Sequence, residues 1–221
     1  MQTFATPAPI AAVLNVPAGR IQFIAADRRD TVVEVRPSDP GKSRDVTTAE
    51  QAAVTYGDGV LRIEVGGTPN RLLGSAGSVE VTVQLPAGSR VDAKTAATEL
   101  RGVGRLGDIT FEGAYRQIKI DEAASVRLTA TDGDVEVGRL TGPAEITTER
   151  GSIRIAEAVR GTVVLTTQQG DITVAAAGGV SAALDAGTAY GRVSNSLRND
   201  GTTALDIRAT TSQGDITARS I

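Results

Sequence analysis

The residues in this chain best placed to do chemistry are the aspartates that follow glycines. Gly133-Asp134-Val135, Gly170-Asp171-Ile172 and Gly214-Asp215-Ile216 repeat one short pattern. Gly151-Ser152-Ile153 replaces the acid with serine, and a weaker copy begins at Gly191, followed by Arg192. Glycine- and aspartate-rich repeats bind calcium when oxygens from stacked turns converge at about 2.3–2.6 Å from the ion. In chain order, Ser152 and Arg192 separate successive aspartates, which predicts carboxylates two turns, or about 10 Å, apart. The Gly-Gly-x-Gly-x-Asp pattern of calcium repeats is absent as well. The alternative is structural: glycine admits a positive φ, and the aspartate hydrogen-bonds the turn backbone. Gly133, Asp134, Gly151, Ser152, Gly170, Asp171, Gly191, Gly214 and Asp215 are therefore read as turn positions, and no metal ligand is expected.

Other constellations are sparse. The chain has no His and no Cys, which excludes a Ser-His-Asp triad, His- or Cys-ligated zinc, thiolate chemistry and disulfides. Polysaccharide-cleaving β-helix enzymes would need paired carboxylates, or Asp with Arg. Asp185 with Arg208, and Arg127 with Glu145, fall where stacked units would bring them together, and exposed ion pairs are the simpler reading of both. Only three Phe, three Tyr and no Trp are available as sugar platforms. No Gly-x-x-x-x-Gly-Lys-Ser/Thr loop occurs, and Gly102-x-Gly104 lacks the strand-turn-helix context of a dinucleotide site. No catalytic residue and no cofactor are expected.

The elements that would position these residues form a repeat. Apolar residues sit seven and five positions before each glycine: Val126/Leu128, Ala144/Ile146, Val163/Leu165, Leu184/Ala186 and Ile207/Ala209. The same template recovers units anchored at 98 and 116, and it assigns Ile109, after Gly107-Asp108, to the preceding strand of a unit. Each unit then holds two short strands with alternate residues apolar, so that one face is buried. Stacked parallel, the units would align Leu100, Ile118, Val135, Ile153, Ile172, Val193 and Ile216 inside. Outside they would align Arg101, Lys119, Glu136 and Arg154, with opposite charges adjacent at two of three steps. An ordinary β-sandwich is the competing architecture. The expected fold is all-β: a parallel β-solenoid of about seven two-strand rungs.

The first third lacks the repeat. It predicts strands at 13–24, 31–35, 60–65 and 79–85, a hairpin turn at Gly57-Asp58-Gly59, and a capping box at Thr47–Glu50 opening a short helix through Ala53. Residues 1–78 are expected to close the N-terminal end of one continuous body, with the solenoid over 79–221.

Val83-Gln84-Leu85-Pro86-Ala87-Gly88-Ser89, followed by iterations of Thr-x-x-Gly-Asp-Ile-x-Val, carries a family resemblance, echoed earlier by Leu14-Asn15-Val16-Pro17-Ala18-Gly19. The chain resembles the bacterial "putative adhesin" family, a domain of unknown function made of β-strand repeats. The resemblance implies a right-handed parallel β-helix and supplies no catalytic residues.

A net charge of -3 argues against nucleic-acid binding, which needs a basic surface. No run of about 18 apolar residues occurs, and the N-terminus lacks a signal peptide's basic and apolar regions, so a cytoplasmic location is expected if Met1 is the native start. The expected role is a non-enzymatic binding or scaffold protein. The rivals are a carbohydrate-active β-helix enzyme and a calcium-stabilised surface adhesin; glycan binding has no positive signal. The gap between units lengthens at 175–183 and 196–204, which marks Gly178, Gly179, Leu197, Arg198, Asn199 and Asp200 as candidate interaction loops for an unknown protein partner. With only three residues after Ala218, the C-terminal rung is expected to be an open end available for self-association.

Overall fold

Alternation of apolar and polar residues becomes strand almost wherever it occurs. The structure is a computed structural model that describes residues 1–66 and 77–221, without the side chains of 114 and 115. Residues 67–76 of the predicted N-terminal closure lie outside it. The chain opens with β1 (Gln2–Ala5), β2 (Ala11–Ala26) and β3 (Asp30–Pro37), then the helix α1 (Ser43–Glu50). The hairpin β4 (Ala53–Gly57) and β5 (Val60–Glu64) leads to β6 (Val79–Pro86) and the long β7 (Arg90–Asp132). Shorter strands follow in pairs: β8 (Val135–Leu140) and β9 (Ala144–Arg150), β10 (Ile153–Ala158) and β11 (Gly161–Gln169), β12 (Ile172–Ala176) and β13 (Ala182–Tyr190). The last are β14 (Val193–Ser196), β15 (Leu205–Gln213) and β16 (Ile216–Ser220).

All these strands belong to one open sheet. The 43 residues of β7 would span about 140 Å if straight, so the strand must wind round the body. Its own turns meet: Arg101 reaches Asp121 at 2.7 Å and Lys94 reaches Glu112 at 3.2 Å. Beyond it the pairing is parallel and in register. Ile118 aligns with Val135, Val135 with Ile153, and Ile153 with Ile172, each no more than 1% exposed. The predicted outer ladder is realised in part, with Lys119 and Glu136 paired at 3.0 Å. Glu136 aligns with Arg154, while Arg101 prefers Asp121.

The end of the repeat departs from chain order. Ile172 aligns with Ile216, and it is Ile216 that aligns with Val193. In the companion row β11 pairs with β15, and β15 pairs with β13. The last unit, 205–220, is thus inserted between the unit ending at Ala176 and the unit of β13 and β14. This corrects the expectation of an open C-terminal rung: both edges of that rung are covered, and the uncovered edge is β13 and β14.

At the other end, β2 is itself a member of the stack. Ala12, Leu14 and Ile21 align with Val91, Ala93 and Leu100, so the echo at 14–19 marks one more unit. Closing strands lie on its far side, where β6 pairs parallel with β2 and β3 pairs antiparallel with β6 and β1. The closure therefore draws on β6, beyond residue 78, and the stack on β2, before it. The hairpin turn forms as expected: Asp58 and Gly59 have φ of 51° and 75°, the two positive values that a type I′ turn requires.

The helix does not form where the capping box predicts. It runs from Ser43 to Glu50, its N-cap Lys42 makes no side-chain cap, and Thr47 lies inside it. Two of its polar residues anchor the following segment: Asp45 accepts the Ser78 N–H and Thr48 accepts the Gly77 N–H, at 2.9 and 3.0 Å.

Candidate functional site

The repeated Gly-Asp corner is the most regular polar feature of the molecule, and its chemistry is directed at the neighbouring turn. Asp134 Oδ1 accepts the N–H of Ser152 at 2.7 Å, and Ser152 Oγ accepts that of Asp171 at 3.2 Å. Asp171 Oδ1 accepts the Asp215 N–H at 2.8 Å, and Asp215 Oδ1 accepts the Arg192 N–H at 2.9 Å. Each side chain satisfies a backbone donor that the corner would otherwise leave without a sheet partner. The ladder stops at Arg192, which has no acceptor to offer and instead bends its guanidinium back to Asp215 at 3.5 Å.

This order also overturns the spacing on which the calcium argument rested. Asp171 and Asp215 stand in adjacent turns, not two turns apart, because the last unit is inserted next to the unit of Asp171. Both carboxylates are engaged with backbone N–H groups, and among the described residues no group of three or more possible metal ligands comes together.

The glycines are fixed by the same stacking. At Gly170 (φ +148°) an added Cβ would lie 2.2 Å from the Gly151 carbonyl oxygen, and at Gly214 (φ +147°) 2.1 Å from that of Gly170. A second ladder was not assigned from the sequence. The threonine three positions before the glycine donates its hydroxyl to the glycine carbonyl one turn away: Thr167 to Gly151 at 3.0 Å, Thr211 to Gly170 at 3.1 Å and Thr188 to Gly214 at 3.0 Å. Its signal is the Thr-x-x-Gly spacing itself.

The candidate loops do come together, on one corner. Ser181 Oγ accepts the Asp200 N–H at 3.0 Å, and the Arg198 carbonyl accepts the Ala182 N–H at 2.9 Å. Gly178, Gly179, Arg198, Asn199 and Asp200 are exposed, and Leu197 is half-buried. Hydrogen bonding from Ser181 and from the Thr202 N–H, with Arg198 nearby, holds the Asp200 carboxyl below its ordinary range. The extra residues that marked these loops have a topological cause. Residues 177–181 carry the chain past the height of one turn, and 197–204 bring it back to fill the gap.

The described residues line several surface grooves, among them two of more than 400 Å³. One, of about 480 Å³, lies by the start of α1 and is lined by charges of both signs, among them Arg20, Lys42, Arg116, Asp39 and Glu80. The other, of about 420 Å³, crosses the outer face of β7, β9 and β11 and is lined by Asp108, Arg127, Glu145, Thr162 and Val164. In it Arg127 and Glu145 pair at 3.3 Å, both well exposed. The second pair from the sequence does not form: Asp185 aligns with Arg208, but Arg208 turns to Asp206 at 3.1 Å.

A family model described as Toastrack DUF4097 matches residues 13–219. No curated protein matches the chain. Among solved structures it is similar to a putative cell adhesion protein from Clostridium sporogenes, at 10% identity and a TM-score of 0.41, over 100% of this chain and 98% of that one. It is also similar to a putative adhesin from Bacteroides fragilis, at 10% identity and a TM-score of 0.42, over 98% and 95% of the two chains. A putative adhesin from Parabacteroides distasonis is similar at 14% identity and a TM-score of 0.36, over 98% and 95%.

Proposed function

The chain belongs to the Toastrack DUF4097 family, and from there we propose that it is a non-enzymatic binding or scaffold protein. Its body would be a right-handed parallel β-solenoid of about seven two-strand rungs. The observation that carries this reading is the use made of the repeated polar groups. Asp134, Ser152, Asp171 and Asp215 each bind a backbone donor of the adjacent turn, so the groups that recur in the sequence hold the scaffold together. A rigid, closely braced surface with scattered charges suits recognition of a partner by shape and charge.

The groove across β7, β9 and β11 is the face we assign to that partner, a protein. It sets the exposed Arg127–Glu145 pair beside the apolar edge of Val164. The test is cross-linking of the tagged chain in lysate of its native host, run beside Val164→Glu, with both proteins checked for equal thermal stability. A stoichiometric protein captured by the parent chain and lost from the variant is the expected outcome. Release of reducing ends from a polysaccharide panel, abolished by Glu145→Gln, would replace the scaffold reading with an enzymatic one.

A further inference from the structure

The uncovered end of the stack is built differently from the turns beneath it. Val193 occupies the inward position held elsewhere by Ile172 and Ile216, yet it is 45% exposed where they are at 0% and 1%. Tyr190, just before it, is 76% exposed. Among the described residues β13 pairs only with β15 and β14 only with β16, so each has an open edge. Exposed edges are normally blunted by Lys, Pro, a bulge or shortness. β13 has nine residues, Ala-Ala-Leu-Asp-Ala-Gly-Thr-Ala-Tyr, and carries neither Lys nor Pro.

We infer that this end is covered by a second copy of the chain, β13 pairing antiparallel with β13 about a two-fold axis at Ala186. Head-to-tail stacking is opposed at both ends. A further parallel turn would find no side-chain acceptor at position 192, where the ladder ends in a guanidinium. The opposite end presents antiparallel strands, not the edge of a matching turn. A two-fold contact is self-complementary and closes at two copies.

Charge and size fit the same arrangement. Pairing centred on Ala186 sets Asp185 against the second copy's Gly187, so the single charge of β13 never meets itself. It sets Tyr190 against the second copy's Ala182, next to the Ser181–Asp200 bond. The terminal unit with its two loops offers about 25 residues, the size of one side of a standard interface.

The experiment measures mass by sedimentation over micromolar to millimolar concentrations. The parent chain is expected to dimerise. Gly187→Glu adds a side chain in open space at an ordinary φ, so the fold is kept, which a thermal melt checks. It sets a carboxylate against the other copy's Asp185 on both sides of the axis and is expected to weaken the dimer about tenfold or more. Adding Asp185→Lys to Gly187→Glu restores opposite charges and is expected to recover the dimer. A monomeric parent chain, or a dimer that Gly187→Glu leaves unchanged, overturns the inference. Neither variant alters the groove at Arg127 and Val164, so this result and that of the capture experiment are independent.

Discussion

The order of the last two units can be tested with cysteines, because the chain has none of its own. Thr173 aligns with Thr217, and Thr217 aligns with Ser194. Adjacent strands are about 4.8 Å apart, within the Cα separation that a disulfide spans, whereas Thr173 and Ser194 stand two strands, or about 9.6 Å, apart. If units followed chain order, Thr173 and Ser194 would be the neighbours. The double variant Thr173→Cys/Thr217→Cys is therefore expected to oxidise to an intramolecular disulfide, and Thr173→Cys/Ser194→Cys to keep both thiols. The bridge closes a loop from 173 to 217, and chain entropy over that length corresponds to about 4 kcal/mol of stabilisation before any native-state strain. Thiol titration and non-reducing peptide mapping give the connectivity, and melting with and without reductant gives the stability. Cross-linking of 173 to 194, with none of 173 to 217, would refute the insertion and with it the location of the open edge.

Two further outcomes follow from the corner geometry. Gly170→Ala places a Cβ 2.2 Å from the Gly151 carbonyl oxygen at a φ of +148°, between units that hold it on both sides. Backbone strain and overpacking together are expected to cost about 3 kcal/mol in urea unfolding, while Gly187→Ala, with open space around it, changes stability by less than about 1 kcal/mol. Acid is expected to destabilise the fold. Hydrogen bonding and ion pairing to Arg28 lower the Asp30 carboxyl, the Gly41 N–H and Lys42 lower Asp39, and Ser181 with the Thr202 N–H lowers Asp200. A lowered folded-state value contributes stability that is present above the ordinary carboxylate range and lost as pH falls through the folded value. Melting temperature should therefore drop on acidification below that range, and Asp200→Asn should remove part of the drop; a melting temperature flat into strong acid would contradict it.

Much of the architecture was legible because its cause is local. Period-two alternation fixed the inward residues Leu100, Ile118, Val135, Ile153, Ile172 and Ile216, while Val193, expected inside as well, is 45% exposed on the uncovered turn, and the glycine anchors fixed where the chain turns. The Gly57-Asp58-Gly59 hairpin was legible for the same reason, since two positive φ values select those residues. The order of the last two units was not, because both carry the same apolar template and strand partners are chosen by long-range packing. The sequence does contain the clue: Arg192 breaks the acceptor ladder, and Val-Ser-Asn-Ser is the most polar second strand, as suits a turn with one wet side. Lengthening of the loops at 175–183 and 196–204 was visible in the sequence, but the detour past one turn that it accompanies was not. The helix was misplaced because Thr47 and Glu50 match a cap by type alone, while tertiary bonds from Asp45 and Thr48 to 77–78 decide where it lies. Of the surface groove only Arg127 and Glu145 were legible, because the repeat sets them in adjacent units, whereas Asp108 and Val164 join them only through the stacking of the whole body.

Inserting 205–220 beneath 182–196 has a consequence for biosynthesis. Residues 182–196 leave the ribosome before the strands they rest on exist. In that interval a nascent chain exposes two sets of unfilled edges, those of β11 and β12 below and those of β13 and β14 above. One late segment closes the inner pair, and it can do so only after residue 220 is free to move. Any delay at that stage leaves apolar strand edges available to other nascent chains. A chaperone that shields β11 and β12 until residue 220 has emerged would therefore protect the edges that the late segment must fill.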